Sequence, residues 1–287
     1  MEIWQYLERK PKKPEHSLNI GDLGINIVKI KSKNIKESYN RLKSQNVKIL
    51  SEINTEPDGS KSFFIQDLDD NVLCIKEYGN WYSCNGFDIG GAFSCVIGVS
   101  DIESSLKLYS NILGYDKVIY DKTDEFKDLH FLKNGHKRFR RILLTHQLNR
   151  LGGFSQLLGI SQIELIQSLE TKPKKIFDNR YWGDIGFIHL CFDIHNINAM
   201  VKECNDKGFP FRVLCDKSFE MGDASGHWGY IEDLDGTLIE FVETHKVPLI
   251  KKLNLSINLK KRNPHKPLPN WLIKAMKIKR VKFKTTP

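Results

Sequence analysis

Residues 2–14, EIWQYLERKPKKP, return as residues 164–176, ELIQSLETKPKKI, with eight of the 13 positions identical. The longer stretch 2–35 lies on 164–197 at a constant offset of 162 with no gap, and 13 of the 34 positions are identical. Glu2/Glu164, Pro11/Pro173, Gly21/Gly183, Asp22/Asp184 and Gly24/Gly186 are among them. The match runs on through a helical segment into DLDD at 67–70 and DLDG at 233–236, where the second copy has gained four residues. Self-similarity of this kind decides the fold before any single element does.

The repeated unit has a physical reading. In GFIHLCFDI, 186–194, the residues Ile188, Leu190, Phe192 and Ile194 alternate with His189, Cys191 and Asp193, as in a strand with one buried face. Residues 196–207 follow with helical spacing of Ile197, Met200, Val201 and Cys204, and Gly208 is a natural stop. Short strands are expected near 210–215, 226–231 and 237–243, with DLDG as the last turn. The unit is β-α-β-β-β. Three copies follow, at roughly 22–78, 91–169 and 184–244. The isolated strand EIWQYL then matches the last strand of a fourth unit whose earlier part is absent. A start upstream of Met1 is the reading adopted for this; loss of the piece from the gene is the alternative.

Composition narrows the class. The apolar share is 40% and the charged share 28%, ordinary for a globular protein. No apolar run reaches the length of a membrane span, and the N-terminus lacks a secretory pattern. The six cysteines show no CxxC spacing and read as reduced thiols, which fits the cytoplasm. The net charge of +9 comes from the end of the chain. Residues 246–287 hold 13 Lys and Arg and no acid, leaving a balance of −4 on the rest. That tail, interleaved with Leu, Ile, Trp271 and Met276, reads as an arm packed on the body or on a second copy. Membrane headgroups or RNA are the other reading of its charge, and no nucleic-acid partner is expected.

Paired β-α-β-β-β units with DIESSLKLYSNILGY at 101–115 and DLDGTLIEFVE at 233–243 resemble the vicinal oxygen chelate superfamily, which includes glyoxalase I, methylmalonyl-CoA epimerase and the extradiol dioxygenases. The resemblance implies an α+β fold in which paired modules curl mixed sheets into cups. It implies a partial first domain over 1–80 that lacks its N-terminal module. A complete domain over 90–245 follows, and then the basic tail 246–287. It also implies one divalent transition metal (Fe, Mn, Zn, Ni or Co) in the complete cup. The matching ligand positions there are His189, Glu240 and Glu164, with Ser94 where the family usually has His or Gln. Alternation agrees, because Glu240 lies between Ile239 and Phe241, and Glu164 between Ile163 and Leu165. In the other cup Ile27 and Cys74 stand at two ligand positions beside Lys29 and Lys31, so no metal is expected there.

Three activities are compatible with this pattern. The first is a glyoxalase- or epimerase-type lyase or isomerase that forms an enediolate from a small carbonyl substrate, with Glu240 as the base. The second is a ring-cleaving extradiol dioxygenase, which needs a second His that only His146 or His227 could bring. The third is a metal-free small-molecule binding protein. Ser94, Arg140 and His227 are candidates to touch substrate or a bound water. A homodimer is compatible with all three.

Overall fold

The computed structural model describes residues 1–4, 6–83, 86–215, 219–221, 224–250 and 255–275. The first unit gives β1 (Gly24–Ser32), α1 (Ile35–Ser44), β2 (Lys48–Ile49), β3 (Asn54–Thr55), β4 (Lys61–Gln66) and β5 (Val72–Glu77). The second gives β6 (Ile89–Gly98), α2 (Ile102–Tyr109), β7 (Lys117–Glu125), β8 (Arg138–Thr145), the short α3 (Ser155–Leu158) and β9 (Gln162–Ser168). The third gives β10 (His189–Asp193), α4 (Ile197–Asp206), β11 (Val213–Leu214), β12 (Phe219–Met221), β13 (Ala224–Glu232) and β14 (Leu238–Ile250). β15 (Leu255–Asn258) and α5 (Asn270–Ala275) follow.

Local chemistry explains the element ends. The side chains of Asn34, Asp101 and Asn196 cap the three unit helices by accepting from the backbone N–H of Glu37, Ser104 and Ala199. In the last turn Asp233 Oδ1 accepts from the N–H groups of Asp235 (2.9 Å) and Thr237 (2.7 Å), with Gly236 at φ +93°. Asp67 does the same for Asp69 (2.9 Å) and Asn71 (2.8 Å). There Asp70 takes the left-handed position at φ +69°, so the repeat survives as geometry where Gly has been replaced.

The strands form two sheets. The first has the order β2-β4-β5-β1-β6-β9-β8-β7, with β3 on β4. The second has the order β10-β14-β13-β11, with β12 on β13 and β15 on β14. The central seam of the first sheet is β1 antiparallel to β6, which joins unit 22–78 to unit 91–169. This corrects the expectation that units 91–169 and 184–244 share one cup. Those two units meet back to back through their helix-side faces. Ile97, Ile102, Leu108, Tyr109 and Leu165 form one core with Cys204, Phe209, Ile231, Ile239 and Phe241. Tyr109 also donates to Asp233 at 2.8 Å, and Ser100 N–H to Asp235 at 2.8 Å, tying the second unit to the DLDG turn.

The repeat also explains residues 2–14. Lys174 N–H donates to Asp22 Oδ1 at 2.9 Å, and Lys12 N–H donates to Asp184 Oδ1 at 2.8 Å. Leu23 N–H donates to Lys174 O at 2.8 Å, and Ile185 N–H to Lys12 O at 3.1 Å. Each pair is the other shifted by the 162-residue repeat. The N-terminal segment therefore lies on the third unit as the segment after β9 lies on the first. EIWQYL itself is not a strand at its described positions. β9 is paired on both sides, by β6 and β8. No strand among the described residues flanks 2–7, and an extended segment without ladder partners has no cooperative reason to be a strand.

The tail is partly built into the body. β14 extends past residue 245 and pairs with β15. Leu268, Leu272 and Ile273 form a small core with Tyr82, Phe154, Ile257 and Leu259. That agrees with a packing arm for 255–275; Lys251, Lys252, Met276, Lys277, Lys279 and Arg280 lie outside the described residues. Cys74, Cys95, Cys191 and Cys204 are free thiols, and Cys84 lies outside the described residues. Among the described residues no helix is long and apolar enough to cross a membrane.

Candidate functional site

The two sheets carry two cups of different character. In the first, alternation along β1, β5, β8 and β9 turns Lys29, Lys76, Arg141 and Glu164 inward, all 0–2% exposed. Lys29 Nζ donates to Glu56 Oε2 (2.5 Å) and Glu164 Oε2 (2.7 Å). Lys76 Nζ reaches Glu56 Oε2 (2.8 Å) and Asp58 Oδ2 (2.7 Å). Arg141 donates from Nε to Glu164 Oε1 (2.5 Å) and from Nη1 to both oxygens of Asp128 (2.9 Å). Burying such charges is costly unless each is paired and hydrogen-bonded, and here each is. Burial pushes the Glu164 carboxyl up, but the Arg141 and Lys29 cations outweigh it and hold it at about 2. Burial likewise works against the Lys29 ammonium, and Glu164 and Glu56 raise it well above its ordinary value.

Glu164 is thus not brought together with His189 and Glu240. It lies in the other sheet, and its oxygens are taken by a lysine and an arginine. Ser94 is in this cup too, at a position paired with Lys29 across the β1–β6 seam. Its Oγ is buried and unpartnered among the described residues, and the residue opposite it across the seam is Lys29. The expectation of a contact with the His189–Glu240 site does not hold for it. The first cup has no fit for a divalent metal. Ile27 offers no donor, burial keeps the Cys74 thiol protonated, and an internal ammonium already bridges the carboxylates.

The second cup keeps the expected pair. β10 and β14 run parallel with Cys191 in register with Glu240. His189 Nε2 lies 3.0 Å from Glu240 Oε2, with the side chains 11% and 15% exposed. Tyr230 on β13 is in register with Glu240 and donates its hydroxyl to Oε1 at 2.6 Å. Trp182 stacks on the imidazole, ring centroids 5.0 Å apart at 25°, and meets Tyr230 edge-on at 5.0 Å. Nδ1 of His189 is buried and has no hydrogen-bond partner among the described residues. Burial pushes the Glu240 carboxyl up, but hydrogen bonds from His189 and Tyr230 overcome it and hold the group below its usual range. Burial, then the Glu240 carboxylate, keeps the Tyr230 hydroxyl protonated.

The carboxylate that stands to this cup as Glu164 stands to the first is Glu2. Lys29 is the repeat counterpart of Cys191, and the Glu2 charge is felt at the Cys191 thiol, after burial and Glu240. The signal was present in the sequence as the 162-residue offset.

Two other expected contacts are corrected. Arg140 lies on the opposite face of β8 from Arg141 and is engaged by Asp121 (2.7 Å) and Glu103 (2.7 Å), the latter on α2. His227 is in register with Glu243, so it shares the helix-side face and not the face of Glu240. His146 is held by Gly114 O at 2.5 Å in a loop beside β8. No second His faces the His189–Glu240 cup among the described residues.

Residues 95–230 match the family model of the glyoxalase/bleomycin resistance protein/dioxygenase superfamily. The match covers most of the second and third units, a little under half of the chain. Among solved structures it is similar to glyoxalase I from Zea mays, at 14% identity and a TM-score of 0.49, covering 77% of this chain and 67% of that one. A mutant 4-hydroxymandelate synthase from Streptomyces coelicolor matches at 10% identity and a TM-score of 0.43, covering 78% of this chain and 63% of that one. A glyoxalase family protein from Enterococcus faecalis matches at 16% identity and a TM-score of 0.34, covering 50% and 90%. No curated protein matches the sequence. A fold does not fix a reaction, so the choice rests on the residues just described.

Proposed function

We propose that the His189–Glu240 cup binds a small carbonyl compound with one divalent transition metal, and that the chain is a lyase or isomerase of the glyoxalase or epimerase type. The observation that carries this is the His189 Nε2–Glu240 Oε2 approach of 3.0 Å on neighbouring strands, with Nδ1 left unpartnered. An imidazole and a carboxylate converging on one point suit Fe, Mn, Zn, Ni or Co, and Glu2 is the third donor the repeat supplies. Such an ion, when bound, supplies Lewis-acid polarisation of a substrate carbonyl.

The chain's own groups do the rest. Glu240 is held as a carboxylate and is the proton acceptor for a C–H beside the carbonyl. Tyr230 fixes one of its oxygens by donating a hydrogen bond. Trp182 covers the imidazole and offers an apolar wall that keeps water from one side. The single His on this face favours proton transfer over ring cleavage, whose iron is held by two His and a carboxylate.

Elemental mass spectrometry on protein prepared without a His-tag or chelator tests the metal. Metal lost in His189→Ala and in Glu240→Gln, followed by Glu240-dependent exchange of substrate C–H for deuterium, supports the reading. Metal content indifferent to both substitutions overturns it, and the cup then reads as a binding pocket.

A further inference from the structure

The helix-side face of the second sheet carries a separate cluster. Glu243 and His245 are two apart on β14, and His227 stands opposite Glu243 on β13. One ring nitrogen from each His and one Glu243 oxygen lie within 4.8 Å of one another. The face is the one that bears Phe241, fully buried in the core, so the cluster points away from Glu240.

The strand is shaped around this group. Gly226 pairs with Thr244 but Ser225 pairs with Lys246, which leaves His245 as the extra residue of a bulge. Bulges of this kind re-aim a side chain. A Cβ on Gly226 would meet Glu243 O at 2.4 Å, so only glycine permits that approach. The carboxylate is held from behind. Asn196 N–H donates to Oε1 (3.0 Å) and Ile197 N–H to Oε2 (3.2 Å), leaving each oxygen a free lone pair. Nε2 of His245 lies 3.5 Å from Glu243 Oε2 and is buried with no satisfactory hydrogen bond among the described residues. The two His rings meet at 73° with centroids 4.8 Å apart.

We propose that His227, Glu243 and His245 form a second transition-metal site, of the zinc class, on the helix-side face and independent of the His189–Glu240 cup. Zinc bonds of about 2.0–2.2 Å place tetrahedral donors roughly 3.4 Å apart, close to the His245–Glu243 separation. Rotation of the half-buried His227 ring closes the third distance. Two neutral imidazoles and one carboxylate leave a single negative charge, and a divalent ion with a water in the fourth position completes the set. The ion would clamp the β13–β14 bulge against the start of α4. A third cluster, Glu125, His130 and His136, is far more open, with Glu125 and His136 side chains 48% and 69% exposed, and serves as a control.

The test uses the full chain with the cup disabled by His189→Ala and Glu240→Gln, dialysed against Zn2+ and, separately, Co2+. The site predicts about one equivalent of zinc retained and a tetrahedral Co2+ absorption band. In that background His227→Gln or His245→Gln should weaken zinc about 10-fold or more and abolish the zinc-dependent rise in Tm. His130→Gln should change neither. No uptake, or uptake that survives both substitutions, overturns the proposal. If a His variant does not fold, diethyl pyrocarbonate mapping of the unsubstituted chain decides. Zinc should shield His227 and His245 while His130 stays reactive; equal reactivity with and without zinc sinks the site.

Discussion

The first and second cups descend from one repeat, yet they solve the problem of inward carboxylates in opposite ways. In the first, Glu164 is neutralised by Lys29 and Arg141, and the chain of charge runs on from Lys29 through Glu56 and Lys76 to Asp58 and from Arg141 to Asp128. In the second, Glu240 is met by His189, Tyr230 and the thiol of Cys191, which stands where Lys29 stands in the first. An internal ammonium makes a cup self-sufficient. The second cup has no internal ammonium on its carboxylate, whose partners are an imidazole, a phenol and a thiol. The same repeat position, lysine in one cup and cysteine in the other, therefore decides whether the inward carboxylate is neutralised from within.

The largest expected effect lies in the first cup. Lys29→Met strips two buried carboxylates of their shared cation and should cost roughly 3–5 kcal/mol, read from the urea midpoint. Glu240→Gln in the metal-free second cup should cost less than about 1 kcal/mol by the same measurement, because only one acceptor changes. Equal costs would erase the contrast.

Acid should act next, and again through the first cup. Glu164 titrates at about 2 when folded against an ordinary 4.5. A depressed carboxyl contributes stability that is complete above the unfolded value and is lost as pH falls through the folded one. The chain should therefore lose stability between pH 4.5 and about 2. Glu164→Gln, already weakened at neutral pH, should show a flatter decline there. A decline of unchanged steepness would mean another carboxylate controls acid unfolding.

Tyr230→Phe sharpens the second cup. It removes one of the bonds that hold the Glu240 carboxyl down, so the Glu240 titration, followed by carbon NMR, should move to higher pH. No movement would leave His189 and Cys191 to hold it down. The smallest effect is expected at Arg140→Ala. Its partners are exposed, so stability should change by about 0–1 kcal/mol and metal content not at all. A loss of metal would reopen its assignment to the site.

Much of the fold was legible in the residues. The repeat, the alternation in GFIHLCFDI, the caps at Asp101 and Asn196 and the DLDG turn are local, and local spacing predicts them. His189 and Glu240 were legible for the same reason, since each lies at a fixed position on a strand of one unit. What the sequence alone could not settle was which units share a sheet. Strand partners are chosen by long-range hydrogen bonding and by which faces bury against each other. That choice sent Glu164 to Lys29 and Arg141, left Glu2 beside the third unit, and turned His227 toward Glu243 and His245. One unit's sequence determines which side chains face inward; only tertiary pairing decides what they face.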